Sequence, residues 1–262
     1  MIESKRKSDL DIHSGFVSGA IAIGLIALWE VMAQAGFISP LLAPAPSTVL
    51  RTLWRQVATG EIAPHVFATL SRVLVGLVVG GTAGVTVGIL MGTIPRFRAI
   101  VDPFVAAFHP LPKIAILPVV MALLGIGDTS RIAVISLAVF FPMMINTLGG
   151  VTQISRTHLD VARNYGATGW RLFSRVIIPA AMPMMVSGFR IALNLALLIA
   201  ISIEIASASV GLGALIWMSW EVLRIDVLYA SLLVIMALGI SFNQLVRAVT
   251  TRMVPWSGER RR

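Results

Sequence analysis

The sequence predicts an all-α polytopic membrane protein with six transmembrane helices, and three observations carry that reading. Of 262 residues, 57% are hydrophobic and 13% charged, against roughly half and a quarter in a typical soluble domain. The apolar residues gather into six stretches of about 20, each long enough to cross the hydrocarbon of a bilayer as a helix. The cations are unevenly shared between the connections. Of 21 Lys and Arg, 14 fall on one side of the six spans and four on the other, and the positive side is the cytoplasmic one. Both termini are therefore expected in the cytoplasm, with residues 1–262 forming a single transmembrane domain.

Met1 to Ser14 is polar and carries Lys5, Arg6 and Lys7, which hold that end inside. The first span runs from about Phe16 to Ala35. Ala33-Gln34-Ala35 has the form of a signal-peptide cleavage site, but the run is long for one and contains Trp29-Glu30, so a retained helix is expected. Phe37 to Pro64 follows on the outside. Pro40, Pro44 and Pro46 keep its first part extended. Ser47 can cap a helix whose Val49, Leu50, Leu53, Trp54 and Val57 form one apolar face, expected to lie on the outer membrane surface or to pack against the bundle.

The second span, about Val66 to Gly92, repeats glycine every four residues at Gly76, Gly80, Gly84, Gly88 and Gly92. Such a row lets another helix approach at backbone distance, within the chain or across a dimer seam. Arg96 and Arg98 mark the return to the cytoplasm. The third span, about Pro103 to Leu124, is interrupted by His109-Pro110-Leu111-Pro112-Lys113 and again by Pro118. Proline breaks a helix, and broken backbone at membrane depth survives only within protein or beside a water-filled cavity. His109 and Lys113 are therefore candidate pathway residues, the alternative being a cytoplasmic loop before a span that starts near Ile114.

Gly125 to Ser130 reads as a tight outer turn. The fourth span covers about Arg131 to Gly150 and contains Asn146. The fifth, about Met184 to Ala208, carries Arg190, Asn194 and Glu204. Ser209 to Asp226 lies outside, with Gly211-Leu212-Gly213 and the interface aromatics Trp217 and Trp220. The sixth span covers about Val227 to Val249, and the tail ends Arg260-Arg261-Arg262 on the inside. An ionisable side chain at the bilayer centre costs at least about 2.5 kcal/mol, so Arg190 and Glu204 join the candidate pathway residues. Arg72 and Glu204 lie near the outer ends of their spans and can snorkel or pair with each other. Asn146 and Asn194 are candidates too, with interhelical hydrogen bonding as the competing role.

Between the fourth and fifth spans lies a polar, basic loop, about residues 152–182. Leu172, Phe173, Val176 and Ile177 share one face of a short helix, and Arg171 and Arg175 share another. Gly166 and Gly169 permit a sharp turn before it, and Pro179 and Pro183 are expected to end it. Arg163, Arg171 and Arg175 place the loop in the cytoplasm. Helix, turn, helix is a rigid shape offered to something outside the membrane.

Several chemistries are absent. There is no cysteine, hence no disulfide, thiolate metal site or cysteine nucleophile. No G-x-x-x-x-G-K-[ST] phosphate loop, H-E-x-x-H or G-x-S-x-G occurs. His13, His65, His109 and His158 lack metal-ligand spacing. No catalytic residue and no metal site are assigned. The net charge of +9 sits in short loops and at the ends beside apolar spans, which argues against a nucleic-acid partner.

The loop resembles the EAA signature of permease subunits in bacterial ATP-binding-cassette importers. Asp160-Val161-Ala162 stands where the family has E-A-A. Gly166 follows after three residues, and Val176-x-Ile178-Pro179 after nine more. Asp replaces Glu and Val replaces the first Ala. Elsewhere Pro110 to Pro118, Gly125-Ile126-Gly127, Phe141-Pro142, Asn146-Thr147, Gly188 to Leu193 and Gly211-Leu212-Gly213 resemble the nitrate/sulfonate/taurine branch. The resemblance implies a type I importer (MetI-like) permease fold in the bacterial cytoplasmic (inner) membrane. It implies a second permease copy, two ATPase subunits that bind ATP and Mg, and an extracytoplasmic solute-binding protein. It also implies that the loop is a coupling helix seated on the ATPase. Asp160, Ala162, Arg163, Gly166 and Arg171 are its candidate coupling residues, with Pro179 in the supporting frame. An ion-gradient-driven transporter or channel is the alternative, but it calls for buried acid clusters that the sequence lacks. An intramembrane enzyme lacks a motif.

Overall fold

The computed structural model describes residues 2–39 and 41–253, all of whose regular structure is helical. Pro40 and the Arg260–Arg262 tail lie outside the described residues, as do the side chains of Lys5, Arg6 and Lys7. In chain order the helices are α1 (Ile2–Gln34), α2 (Pro46–Ala58), α3 (Ala63–Thr93) and α4 (Pro95–Phe108). A 3₁₀ turn (Lys113–Ile116) leads into α5 (Leu117–Leu124), then α6 (Asp128–Thr152) and α7 (Arg156–Asn164). Next come α8 (Gly169–Leu172), a π-helical turn (Phe173–Ile177), α9 (Ile178–Ser207), α10 (Leu212–Glu221) and α11 (Ile225–Met253).

Among the described residues four rods are long and apolar enough to span a bilayer: Ala63–Thr93, Asp128–Thr152, Gly169–Ser207 and Ile225–Arg252. The pair Pro95–Phe108 and Lys113–Leu124 makes a fifth when taken as one broken span, bent by 91°. The apolar part of α1, Gly19–Gln34, is shorter than any of the four. The bend falls at the His109–Pro112 interruption. Lys113 Nζ caps it, donating to the carbonyls of Phe108 at 3.1 Å, Leu111 at 2.9 Å and His109, at and just beyond the end of α4.

Two compact units result, residues 1–63 with 215–233 and residues 64–214 with 234–262. In the second, the core joins Val73 and Leu77 of α3 to Val134, Ile135, Ala138 and Val139 of α6 and to Ala192, Ala196, Ala200 and Ile203 of α9. The glycine row of α3 lies against α6. A Cβ at Gly80 would fall 2.1 Å from the Ser136 carbonyl oxygen, at Gly84 2.6 Å from that of Phe140, and at Gly88 2.6 Å from that of Met144. At Gly76 it would meet Ile135 Cγ2 at 2.5 Å. The row therefore serves packing within the chain. α6 and α9 pack as closely: a Cβ at Gly150 would lie 2.9 Å from the Ala181 carbonyl oxygen, and one at Gly188 2.6 Å from Asn146 Cβ.

Two local expectations are corrected. Pro179 and Pro183 do not end a helix; both lie inside the continuous rod Gly169–Ser207. A proline ring clashes with the carbonyl four residues back. The π turn at Phe173–Ile177 widens the backbone just ahead of Pro179 and makes room for it. In the first unit, Ser47 does not cap α2, whose N-cap is Ala45. Its hydroxyl and amide instead donate to Glu30. α2 buries Val49, Thr52 and Gln56 and leaves Leu50, Trp54 and Val57 exposed, so most of the predicted apolar face points away from the protein.

Candidate functional site

The signature loop is a short helix with a defined stop. Ser155 caps α7, its hydroxyl oxygen accepting the His158 amide at 3.3 Å. At the other end Gly166 takes φ +78°. Its N–H donates to the Arg163 carbonyl at 2.9 Å, and the Ala167 N–H donates to the Ala162 carbonyl at 2.9 Å. This paired closure about a left-handed residue is the Schellman motif. It explains the spacing from Asp160-Val161-Ala162 to Gly166: the fourth residue after Ala162 must be left-handed for both carbonyls to find donors. A Cβ at Gly166 would meet nothing within 4 Å, so the requirement for glycine is conformational and not steric. The chain then turns again at Gly169, φ +51°, and enters α8.

The faces of the loop divide cleanly. Leu159 and Ala162 are half-buried, and so are Leu172, Phe173, Val176 and Ile177. Asp160 and Arg163 are exposed and 3.6 Å apart, and Arg171 and Arg175 are exposed. Val161, Tyr165 and Trp170 are exposed as well, the two aromatics at 89% and 75%. Sequence reasoning passed over Tyr165 and Trp170. The available signal was a pair of aromatics flanking Gly166 and Gly169 in an otherwise polar loop. Tyr, Trp and Arg are the residue types enriched where proteins meet, and this loop exposes all three. The loop hangs between α6 and the Gly169–Ser207 rod, which pack closely on each other at Gly150 and Gly188.

The in-span candidates do not converge on one site. Glu204 and Arg72 meet at the end of the second unit opposite the loop. Arg72 Nη1 donates to Glu204 Oε1 at 2.6 Å and to the Val210 carbonyl at 2.7 Å. Its Nε reaches Asp128 Oδ1 at 2.9 Å, and Arg131 Nη1 reaches the same oxygen at 2.8 Å. Thr69 Oγ1 donates to Glu204 at 2.8 Å and accepts the Leu212 amide at 2.9 Å. The Gly213 amide donates to Glu204 Oε2 at 3.0 Å. Glycine is required around this carboxylate. A Cβ at Gly211, φ +144°, would sit 2.4 Å from Glu204 Cδ, and one at Gly213 2.4 Å from the Ile201 carbonyl oxygen. Two cations and two anions thus neutralise one another, and α3, α6 and α9 are tied together at their ends.

The remaining candidates stand apart. Asn146 donates to the Pro142 carbonyl of its own helix at 2.8 Å, not to a neighbouring helix. Asn194 Oδ1 accepts from Asn243 Nδ2 at 3.4 Å. Arg190 is half-buried on α9. His109 and Lys113 both approach Phe141, with ring centroids 5.4 Å apart for the histidine and the ammonium 4.6 Å from the ring centre. Lys113 also lines a cavity of about 450 Å³ with Phe104, Phe108 and Phe140. A second cavity of about 390 Å³, walled by Leu74, Met143, Phe189, Phe242 and Val246, offers a charged solute no partner. Among the described residues no three His, Asp or Glu side chains gather to hold a metal.

Comparison with known proteins places this geometry. Residues 84–255 match the family described as binding-protein-dependent transport system inner membrane component. The taurine transport system permease protein TauC of Escherichia coli K12 is 32% identical over 246 residues, 92% of this chain and 89% of that protein. An E. coli K12 permease protein named for aliphatic sulfonates transport is 32% identical over 219 residues, covering 84% and 83%. The riboflavin transport system permease protein of Chloroflexus aurantiacus is 27% identical over 232 residues, covering 88% and 87%. Among solved structures, an inward-facing MetNI methionine ABC transporter aligns with a TM-score of 0.63 at 21% identity, over 74% of this chain and 99% of that one.

Proposed function

The chain belongs to the binding-protein-dependent transport system inner membrane components, as an ABC-importer permease of the sulfonate/taurine branch, and from that premise we propose that it carries a small sulfonate- or taurine-like solute inward by alternating access. The observation that carries the mechanism is the Schellman-stopped helix α7, slung between α6 and the Gly169–Ser207 rod. A separate ATPase docks on residues 160–179 from the cytoplasmic side. Two permease copies, two ATPases and one extracytoplasmic binding protein make up the working assembly.

ATP and Mg bind to the ATPases. When these close, the two loops are drawn together, and α6 and α9 tilt as rigid bodies because their packed faces cannot deform. The cavity between the copies then changes its open side. Selection of the solute rests largely with the binding protein. The sulfonate class follows from the taurine and aliphatic sulfonate relatives; the riboflavin relative shows that the family scaffold also serves other cargo. The test is reconstitution of permease, ATPase and binding protein in vesicles. ATP-dependent taurine accumulation that stops when the ATPase is omitted supports the reading. Accumulation that persists without the ATPase contradicts it.

A further inference from the structure

We infer that α2 is a lipid-seated belt, lying along the outer rim of the bilayer with Leu50, Trp54 and Val57 in the acyl-headgroup boundary and Arg51 and Arg55 on headgroup phosphates. The first argument is the exposure of its faces. An amphipathic helix in water turns its apolar side to the protein. α2 departs from this: its buried side joins Val49 to the polar Thr52 and Gln56, at 2%, 6% and 3% exposure, while Leu50, Trp54 and Val57 are 58%, 75% and 56% exposed. That arrangement is stable where the surrounding medium is itself apolar.

The second argument is height. α2 is pinned at two points, to the end of the apolar segment Gly19–Gln34 of α1 and to the first turn of the spanning rod α11. The Ser47 amide and hydroxyl donate to Glu30, at 2.9 and 2.7 Å, one turn before α1 ends. Thr52 Oγ1 donates to Asp226 at 2.9 Å, in the first turn of α11, and Arg55 lies 3.9 Å from the same carboxylate oxygen. Trp29 and Tyr229 meet at the same level with ring centroids 5.7 Å apart, a pairing suited to the membrane interface. A 13-residue helix, about 20 Å long, tied to the start of the spanning rod α11 and to the end of the apolar segment of α1, sits at the membrane boundary. Its arginines share the helix with the apolar face and can reach phosphate while their stems stay in the apolar layer. The seat on lipid follows from the membrane setting alone. Only its assignment to the outer leaflet rests on the orientation proposed above.

The chain has no cysteine, so single spin labels can be placed directly. Leu50→Cys and Val57→Cys are labelled in the full chain, reconstituted in vesicles of phosphatidylcholine and phosphatidylglycerol. Collision with oxygen, which partitions into lipid, is compared with collision with a water-soluble nickel chelate. Both labels are expected to collide severalfold more with oxygen than with nickel. Adding Arg51→Gln and Arg55→Gln is expected to raise nickel access at position 50. A label reached mainly by nickel places the face in water. A label shielded from both reagents places it under protein, such as a second copy of the chain. Either result overturns the inference, and nickel access unchanged by the arginine replacements removes headgroup phosphates from it. None of these readings depends on whether an ATPase docks on the signature loop.

Discussion

Arg72 Nη1 lies 2.6 Å from Glu204 Oε1, and the two side chains are 4% and 0% exposed. Removing one member of such a pair strands the other charge where water cannot reach it, at a loss of about 3–5 kcal/mol. Glu204 also accepts from Thr69 and the Gly213 amide, so its negative charge is anchored from several sides.

Arg72→Met and Glu204→Gln are each expected to lower the melting temperature of the detergent-solubilised protein. The double variant should lose less than the sum of the two, because it leaves no uncompensated partner. Melting followed by size-exclusion chromatography reads all three. Single variants that melt with the wild type would deny the network its structural role.

The glycine row gives a sharper contrast. Gly80 and Gly81 are neighbours in α3, yet a Cβ at Gly80 would strike the Ser136 carbonyl oxygen at 2.1 Å, while at Gly81 the nearest atom is Val139 Cγ1 at 4.0 Å. Gly80→Ala should push α3 off α6 and reduce the yield of monodisperse protein. Gly81→Ala should leave the yield unchanged or raise it slightly, since alanine favours helix by up to about 1 kcal/mol over glycine.

Gly166 is held at φ +78° with open space around it. A left-handed conformation costs an ordinary L-residue roughly 1–2 kcal/mol, whereas asparagine tolerates it better. Gly166→Val should leave membrane insertion intact but misdirect the end of α7, separating ATP hydrolysis from uptake. Gly166→Asn should restore much of the coupling. Parallel assays of hydrolysis and solute accumulation distinguish the two. Full coupling in the valine variant would count against a docking role for the loop.

Much of this architecture can be read from residue order. The broken third span was legible because three prolines cannot share an undisturbed helix, and the helix-turn-helix loop because glycine and charge interrupt long apolar runs. The glycine period announced a close helix approach. Whether the approach lay within the chain required the Ser136 and Phe140 carbonyls to be seen opposite it.

Other features were not legible for physical reasons. Periodicity tells which residues share a face, not which medium the face meets, so for α2 it leaves membrane surface and bundle packing both open. Proline propensity predicts stops at Pro179 and Pro183, but a π turn lies just ahead of Pro179 and the helix runs on through Pro183. Glu204 looked like a pathway residue because burial of an acid is costly. The pairing of Glu204 with Arg72 is one of the two outcomes read from the sequence; the hydrogen bonds from Thr69 and the Gly213 amide are not, because only the fold brings them to the carboxylate. Tyr165 and Trp170 carried no periodic signal, and their exposure emerges only once the turn about Gly166 is built.

The most direct test concerns those two aromatics. A photo-cross-linking amino acid is placed at Tyr165 or Trp170, which are exposed, and intact cells are irradiated. The account predicts an adduct with a cytoplasmic nucleotide-hydrolysing subunit, identified by mass spectrometry, from both positions and not from exposed Leu50 on α2. Adducts with extracytoplasmic proteins, or none with an ATPase from either position, would contradict it.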